Sequence, residues 1–217
     1  MLEQKSSIML VDDHPLLRKG LTQLLALEDD LEVVAEASNG ADAVKLAVEL
    51  DPDLIILDLN MQGMDGIATL KKMRDEGVTS RIVMLTVSDA DEDVVNAISN
   101  GADGYLLKDT DPEVLLEHIQ RALSGKMVLS EAITQVLATA LRRPAPKASA
   151  ELNSLTNREY EILSFIAKGM SNKLIARELN ISDGTVKVHV KHLLKKLGLR
   201  SRVEAAVWMV NHQGVKA

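Results

Sequence analysis

Short apolar runs that end in polar residues constrain the fold of this 217-residue chain more than any other feature. The polar residues that directly follow these runs are Asp12 and Asp13, Asp58, Thr86, and Lys108. Helical patterns separate the runs, and short apolar runs between helices are typical of buried parallel strands. An open α/β sheet forms its ligand crevice at the carboxyl ends of its strands. We therefore predict that these polar side chains lie together in one site.

The side chains of this predicted site have the chemistry that phosphoryl transfer needs. Three clustered carboxylates repel one another and stay ionised when a cation lies among them, and oxygen ligands without Cys or His suit Mg²⁺. An ammonium and a hydroxyl beside the cation neutralise and hydrogen-bond phosphoryl oxygens. A single Asp after a strand is more often a turn residue or a helix cap, so the prediction depends on the whole set.

Five strand-helix units follow one another in the first half of the chain. We expect strands at 8–11, 32–37, 54–57, 82–86 and 104–107, and helices near 15–27, 40–50, 66–75, 90–99 and 112–124. Such alternation predicts an α/β domain with a flavodoxin-like, doubly wound, five-stranded parallel sheet, which we assign to residues 1–127.

The two halves of the chain carry opposite net charge. Residues 1–149 hold 14 Lys and Arg against 26 Asp and Glu (−12), whereas residues 150–217 hold 11 against 6 (+5). The basic half is therefore the one suited to nucleic acid. Two prolines within residues 142–150 indicate an exposed linker, and a helix is expected just before it at 130–141. We assign residues 128–150 to this connection and residues 151–217 to a second domain.

The chain contains no Cys, which excludes disulfides and thiolate zinc sites and suits a reducing cytosol. Its first residues lack the apolar stretch of a signal peptide, and no run approaches the ~18 apolar residues of a membrane span. We expect a cytoplasmic protein with no membrane partner.

Helix-start signals divide the basic half into four helices. Thr156 and Glu159 form a capping box, and further helices are expected at 171–179, 182–197 and from Ser201 onward. Four short helices in so small a domain predict an all-α helix-turn-helix.

The third of these helices has a basic stripe, which consists of Lys187, Lys191 and Lys195. Like charges four residues apart repel, so the stripe favours contact with DNA phosphates, although a solvated face is the alternative. Val188 lies beside the stripe, where it can contact a thymine methyl group. Val186, Val190, Leu193 and Leu197 should face the core.

The fourth helix is apolar almost all round. If Val203, Ala206, Val207 and Val210 cover the core, then Ala205, Trp208 and Met209 face outward and form a dimerisation surface. In the alternative, Trp208 closes the core of its own domain.

Two sets of motifs resemble known families. Residues 7–125 resemble the receiver domain of two-component response regulators, through Val11-Asp12-Asp13-His14-Pro15, Leu57-Asp58-Leu59-Asn60-Met61, Leu85-Thr86 and Gly104-Tyr105-Leu106-Leu107-Lys108-Asp109. Residues 155–210 resemble the NarL/LuxR class of DNA-binding domain, through Ser171-Asn172-Lys173-Leu174-Ile175-Ala176, Leu179-Asn180-Ile181-Ser182 and Thr185-Val186-Lys187-Val188-His189-Val190-Lys191. The ending Ser201-Arg202-Val203-Glu204-Ala205-Ala206-Val207-Trp208, with the receiver motifs, most resembles the regulators that respond to nitrate and nitrite.

The receiver resemblance implies that Asp58 accepts a phosphoryl group from a sensor histidine kinase. It places Asp12, Asp13, Asp58 and the Asn60 carbonyl around Mg²⁺, and it places Lys108 and Thr86 on the phosphate, with Tyr105 following Thr86. Gln62 and Asp109 depart from the pattern, because many receivers have proline at both places. The departure at Asp109 leaves the state of the 108–109 peptide bond open.

The DNA-binding resemblance implies a phosphorylation-activated transcriptional regulator. Lys187, Val188 and Lys191 would contact base edges, with Lys195 on the same stripe and with Asn172, Lys173 and Arg177 near the DNA backbone. The third helix of the basic half, at 182–197, would be the recognition helix. The receiver would cover it until Asp58 is phosphorylated. The partners implied are double-stranded DNA with inverted-repeat sites, a second copy of the chain and RNA polymerase.

Two other functions are compatible with the receiver motifs. An aspartyl-phosphate beside Mg²⁺ is also the intermediate of some phosphatases, but these typically carry a second Asp two residues after the nucleophile, where this chain has Asn60. A receiver can also act as an interaction module without phosphate, although the complete set of acids, Lys and Thr argues against it.

Overall fold

The computed structural model describes residues 5–124, 128–129 and 154–212. Strands and helices alternate in the N-terminal domain: β1 (Ser6–Val11), α1 (Pro15–Leu25), β2 (Leu31–Ala37), α2 (Gly40–Leu50), β3 (Leu54–Leu57), α3 (Gly66–Asp75), β4 (Arg81–Thr86), α4 (Asp91–Ser99), β5 (Gly104–Leu107), α5 (Pro112–Leu123) and β6 (Val128–Leu129). All five predicted strand-helix units are present.

The sheet is parallel throughout and has the strand order β2-β1-β3-β4-β5-β6. Its first five strands confirm the predicted doubly wound sheet. The sixth strand was not predicted, and it pairs through Val128 with Gly104 and through Leu129 with Tyr105. The sheet therefore extends beyond the boundary that we expected at residue 127.

Each face of the sheet has its own core because parallel strands are covered by helices on both sides. Met9 and Val11 belong to the cluster that includes Leu70 and Met73 of α3. Ile8 and Leu10 belong to the opposite cluster, which includes Leu21 of α1 and Ile119 of α5. This alternation along β1 holds the strand ends, and the polar residues after them, in fixed positions.

The C-terminal domain consists of α6 (Asn157–Ala167), α7 (Asn172–Leu179), α8 (Asp183–Leu197) and α9 (Arg202–His212). The predicted capping box is formed by Thr156 and Glu159. Ser171 caps α7 and Ser182 caps α8 through their side-chain oxygens, while Asn180 and Gly198 end these two helices in the left-handed conformation. These local signals confirm the four predicted helices.

The inward face of α8 is as predicted, but that of α9 is not. Val186, Val190, Leu193 and Leu197 are buried in the helical core. Ala205, Trp208 and Met209 were expected to face outward, but they are only 0%, 7% and 1% exposed and belong to the same core. Val207 and Val210 are the exposed apolar residues of α9. This prediction was wrong because a helix with apolar residues on almost every side does not show which side faces the core.

The predicted helix at 130–141 and the linker at 142–150 lie outside the described residues. Within the described ranges, we find no helix with the length and apolar character needed to cross a membrane.

Candidate functional site

Four of the polar residues that follow the strands, Asp12, Asp13, Asp58 and Lys108, meet at the carboxyl edge of the sheet. The Asp58 backbone N donates a hydrogen bond to Val11 O at 2.8 Å, which places Asp58 beside the Asp12 that follows β1. Lys108 comes directly after β5, and its Nζ lies 2.8 Å from Asp12 Oδ2 and 2.8 Å from Asp58 Oδ2. Two buried carboxylates therefore share one ammonium.

Three carboxylates and one imidazole can converge on a single point in this acidic pocket. Ligand atoms of Asp12, Asp13, His14 and Asp58 all lie within 4.8 Å of one another. Gln62 N donates to Asp13 Oδ2 at 3.1 Å, and Asn60 N donates to Asp58 Oδ1 at 3.2 Å, so backbone amides orient two of the acids. The hard oxygen donors fit a divalent cation such as Mg²⁺.

His14 is a member of this cluster that the sequence interpretation did not single out. Its Nδ1 lies 3.1 Å from Asp12 Oδ1 and 2.9 Å from Asp13 Oδ1, although its side chain is mostly exposed. Its position directly after the two Asp residues was the available signal.

The pKa values of the central pair reflect burial and mutual attraction. Burial raises the pKa of Asp58, and the nearby charge of Asp12 raises it further, against the lowering effect of Lys108. Burial alone would lower the pKa of Lys108, but its contacts with Asp12 and Asp58 outweigh burial and raise that pKa. Lys108 is thus a firmly protonated cation beside a carboxylate that is costly to ionise.

The loop after Asp58 has Gln62 where many receivers have proline, and glycines shape its turn. Gly63 has a φ of 83°, which glycine adopts without strain. Gly66 serves a different purpose, because a Cβ there would lie 2.2 Å from Asp58 O. This glycine lets α3 begin directly against the backbone of Asp58. Every described peptide bond is trans, including the one between Lys108 and Asp109.

Thr86 and Tyr105 are buried and are linked through Ser88. Ser88 N donates to Thr86 Oγ1 at 3.2 Å, and Tyr105 OH donates to Ser88 O at 2.9 Å. The Ser88 hydroxyl also donates to Asp93 of α4 at 2.5 Å. Burial raises the pKa of Tyr105 to about 12, so its hydroxyl stays a donor. A movement of Thr86 would therefore reach Tyr105 and α4 through one residue.

Two lysines of the basic stripe contact the N-terminal domain. Lys187 Nζ donates to Asp51 O at 2.6 Å and lies 3.3 Å from Asp51 Oδ2. Lys191 Nζ donates to Glu76 O at 3.4 Å. Its aliphatic stem runs over Gly77, where a Cβ would lie 2.5 Å from Lys191 Cε. Helix α8 is therefore partly covered by the other domain.

The other predicted DNA contacts have varied surroundings. Lys173 pairs with Asp53 at 3.0 Å, again across the two domains. The Asn172 side chain accepts a hydrogen bond from Arg202 within its own domain. Val188 is 53% exposed, and Arg177 and Lys195 are exposed as well.

The domain contacts and the acidic pocket lie at opposite edges of the sheet. Asp51 and Asp53 precede β3, and Gly77 precedes β4, so the helical domain meets the amino ends of the strands. β4 runs for six residues from Arg81 to Thr86, which corresponds to roughly 17–20 Å. Any influence of the pocket on the helical domain must cross this distance.

Comparison with known protein families agrees with both halves of the structure. Residues 8–120 match the response regulator receiver domain, and residues 153–209 match the luxR family of bacterial regulatory proteins. The chain belongs to the two-component response regulators that join a receiver domain to a LuxR-type DNA-binding domain. It is a transcriptional regulator and not a phosphatase.

Similar proteins include two regulators of Escherichia coli strain K12. The nitrate/nitrite response regulator protein NarL is 55% identical over 207 residues, covering 95% of this chain and 96% of that protein. The nitrate/nitrite response regulator protein NarP is 51% identical over 212 residues, covering 96% of each. Among solved structures, the response regulator ChrA of a heme-sensing two-component system is 32% identical, with a TM-score of 0.52 and coverage of 96% of this chain and 98% of that one.

Proposed function

We propose that this protein is a phosphorylation-activated transcriptional regulator in which a phosphoryl group on Asp58 frees the basic stripe for DNA. The proposal depends on one observation, namely that the receiver contains the Asp58 site and also holds the basic stripe. A buried Asp lies beside Lys108 and two further acids, while Lys187 and Lys191 of the recognition helix are held against the same domain.

The phosphoryl step would take place on an Asp58 oxygen. The carboxylate attacks the phosphorus of a phosphohistidine on a sensor kinase, so that an O–P bond forms, the P–N bond breaks and the imidazole leaves with a proton. Lys108 already lies 2.8 Å from Asp58 Oδ2, where its ammonium can balance the added negative charge. With a small phosphodonor such as acetyl phosphate, the Asp58 carboxylate attacks the phosphorus, the P–O bond to the acetyl group breaks and acetate leaves.

Asp12, Asp13 and Asp58, with the Asn60 carbonyl, would hold Mg²⁺. The ion supplies charge neutralisation for the phosphoryl oxygens and lets three acids remain ionised together. The donor chemistry supports this assignment, because carboxylate oxygens converge there and backbone amides orient them.

Thr86 would begin the response to phosphate. When its hydroxyl turns to hydrogen-bond a phosphoryl oxygen, the bond from Ser88 N is lost. Ser88 also accepts from Tyr105 and donates to Asp93, so the loop before α4 and the Tyr105 ring would move together. The change then has to reach the Asp51, Asp53 and Gly77 surface at the other edge of the sheet.

Release of the helical domain would expose the residues that contact DNA. Lys187, Val188 and Lys191 would reach base edges, while Lys195, Arg177, Lys173 and Asn172 would lie near phosphates. Lys173, Lys187 and Lys191 must first leave their partners on the receiver. The acidic receiver thus occupies the place that DNA phosphates would take.

The relatives indicate the biological setting. NarL and NarP are named for their response to nitrate and nitrite, so we assign this chain to a nitrate- or nitrite-responsive pathway with a sensor histidine kinase. We also assign it to the cytoplasm, where a DNA-binding regulator meets its targets. Binding as a homodimer to inverted repeats and contact with RNA polymerase belong to the same proposal.

The decisive experiment measures DNA binding of the full chain with and without acetyl phosphate and Mg²⁺. We expect acetyl phosphate to add one phosphoryl group by mass spectrometry and to strengthen footprints on promoter DNA at least tenfold. The Asp58→Asn variant should show neither effect. Asp109→Asn, which removes an exposed acid next to Lys108, is the matched control and should behave as wild type. Phosphodonor-dependent DNA binding by Asp58→Asn would refute the proposal.

A further inference from the structure

A small cavity of about 40 Å³ lies where the two domains meet. Receiver residues on its wall include Asp53, Ser80 and Arg81, and helical-domain residues include Lys173 and Arg202. The cavity is at the amino edge of the sheet, and Arg81 begins the same strand, β4, that ends at Thr86. It is therefore separate from the acidic pocket.

Cations outnumber acids on the wall of this cavity. Lys173 pairs with Asp53 at 3.0 Å, and the nearby Asp103 is held by Arg74 at 2.8 Å. Neither Arg81 nor Arg202 forms an ion pair within the described part of the chain. The charged side chains on the wall are three cations and one acid, while Asp103 and Asp183 act on Arg202 from outside the wall.

Both arginines are buried at this junction, at 6% exposure each. Arg202 donates to the Met170 carbonyl and to the Asn172 side chain, but its Nε has no hydrogen-bond partner among the described residues. Ser80 Oγ is likewise buried without a partner there. Burial, together with the nearby charge of Arg81, lowers the pKa of Arg202 to about 9. Unpaired donors and like charges are costly to bury unless a negatively charged hydrogen-bond acceptor lies beside them.

We propose that this cavity binds one small oxyanion, of the class of sulfate or inorganic phosphate, between Arg81 of the receiver and Arg202 of the helical domain. Guanidinium groups and a hydroxyl are the donors that oxyanions prefer. One water needs a cavity volume of about 10–15 Å³. The cavity of about 40 Å³ therefore accommodates the oxygens of one tetrahedral anion.

An anion bound between the two domains would regulate DNA binding. Its ligands come from both domains, so it binds the closed arrangement and not the separated one. By linkage, such an anion stabilises the closed arrangement and opposes DNA binding. This inference depends on the domain contacts and not on phosphorylation of Asp58, so the phosphorylation switch can fail without affecting the test.

Calorimetric titration of the unphosphorylated full chain with sulfate tests the proposal directly. EDTA is present to keep divalent cations out of the acidic pocket, and chloride holds the ionic strength constant. We expect saturable binding of one sulfate per chain with a millimolar Kd. Arg81→Gln should bind at least fivefold more weakly, whereas Arg121→Gln, which removes an exposed arginine on α5, should bind as wild type. A second series with inorganic phosphate identifies which oxyanion binds more tightly.

Ser80→Asp provides an independent variant if Arg81→Gln does not fold. It places a carboxylate at the cavity wall and should abolish sulfate binding. In a DNA-binding assay, sulfate should weaken binding by the wild type at least threefold more than by Ser80→Asp at equal ionic strength. The proposal is overturned if the wild type shows no saturable sulfate binding, or if a folded cavity variant binds sulfate as tightly as Arg121→Gln does.

Discussion

The two edges of the sheet differ in where their charged side chains find partners. At the carboxyl edge, Lys108 pairs with both Asp12 and Asp58, and all three belong to the receiver. At the amino edge, Asp51 and Asp53 meet Lys187 and Lys173 of the other domain. Because the first set is paired within one domain, it does not need the helical domain, whereas the second set loses its partners whenever the domains separate.

The helical domain depends on the receiver for charge but not for its core. All the buried side chains of its hydrophobic cluster come from residues 162–209, that is, from the helical domain itself. The cluster should therefore survive separation of the domains, and separation should cost mainly ion pairs, which are weak when partly exposed. A contact of this kind is easily reversed, as a switch requires.

The largest effect should come from breaking the helical core. Trp208→Ala removes a side chain that is 7% exposed and stacks on His212 with ring centroids 4.0 Å apart. We expect a loss of about 3–5 kcal/mol in the unfolding free energy of the helical domain, measured by urea denaturation with circular dichroism. Val210→Ala, at 61% exposure, should change it by no more than about 0.5 kcal/mol. Equal losses would place Trp208 outside the core.

The next effect concerns the metal at the carboxyl edge. At a Mg²⁺ concentration of about 100 times its Kd, the receiver should gain about 2.7 kcal/mol of unfolding free energy, because the ion binds only the folded cluster. Asp13→Asn should lose most of this gain in thermal unfolding scans, and Asp109→Asn should keep it. An undiminished gain in Asp13→Asn would remove Asp13 from the metal site.

The pH dependence of stability follows from the raised pKa of Asp58. The folded state holds this proton more tightly than the unfolded state, so Asp58 stabilises the fold at low pH and this contribution is lost as the pH rises through the folded-state pKa. Without metal at pH 7, Asp58→Asn should therefore raise the Tm by about 2–4 °C, corresponding to ~1 kcal/mol. The gain should vanish below about pH 4, near the ordinary Asp pKa. A gain that persists there would point to a cause other than ionisation.

The smallest effect should come from one pair at the amino edge. Asp51 has a φ of 42°, and Asn tolerates this left-handed conformation, so Asp51→Asn removes charge with little strain. The lost pair with Lys187 is worth about 0.2–1 kcal/mol, which should strengthen DNA binding of the unphosphorylated chain by up to about fivefold in fluorescence anisotropy. Asp42→Asn, whose acid pairs with Lys45 inside the receiver, should have no such effect.

Much of the fold could be predicted because its signals are local. Strand runs, the capping box at Thr156 and the serine caps each depend on a few neighbouring residues, and the structure contains them. The convergence of Asp12, Asp58 and Lys108 also followed from the sequence, because parallel strands bring their carboxyl ends together.

The features that were missed depend on contacts that no local pattern records. The two-residue strand β6 is too short to have a periodicity, and its pairing with β5 is set by the sheet edge. The orientation of α9 depends on how it packs in the helical core, since apolar residues occur on most of its sides. The partners of Lys187 and Lys191 depend on how two separately folded domains meet.

Gly77 has a consequence for how such a regulator can change over generations. The stem of Lys191 occupies the space that any side chain at this position would fill, and the backbone there has a φ of 79°, which other residues adopt with strain. A side chain there would meet the far end of the flexible Lys191 side chain, so a substitution would displace this lysine and its hydrogen bond to Glu76 O. A single substitution at this position would therefore loosen one contact of the cover, with no alteration to either the acidic pocket or the side chains of α8.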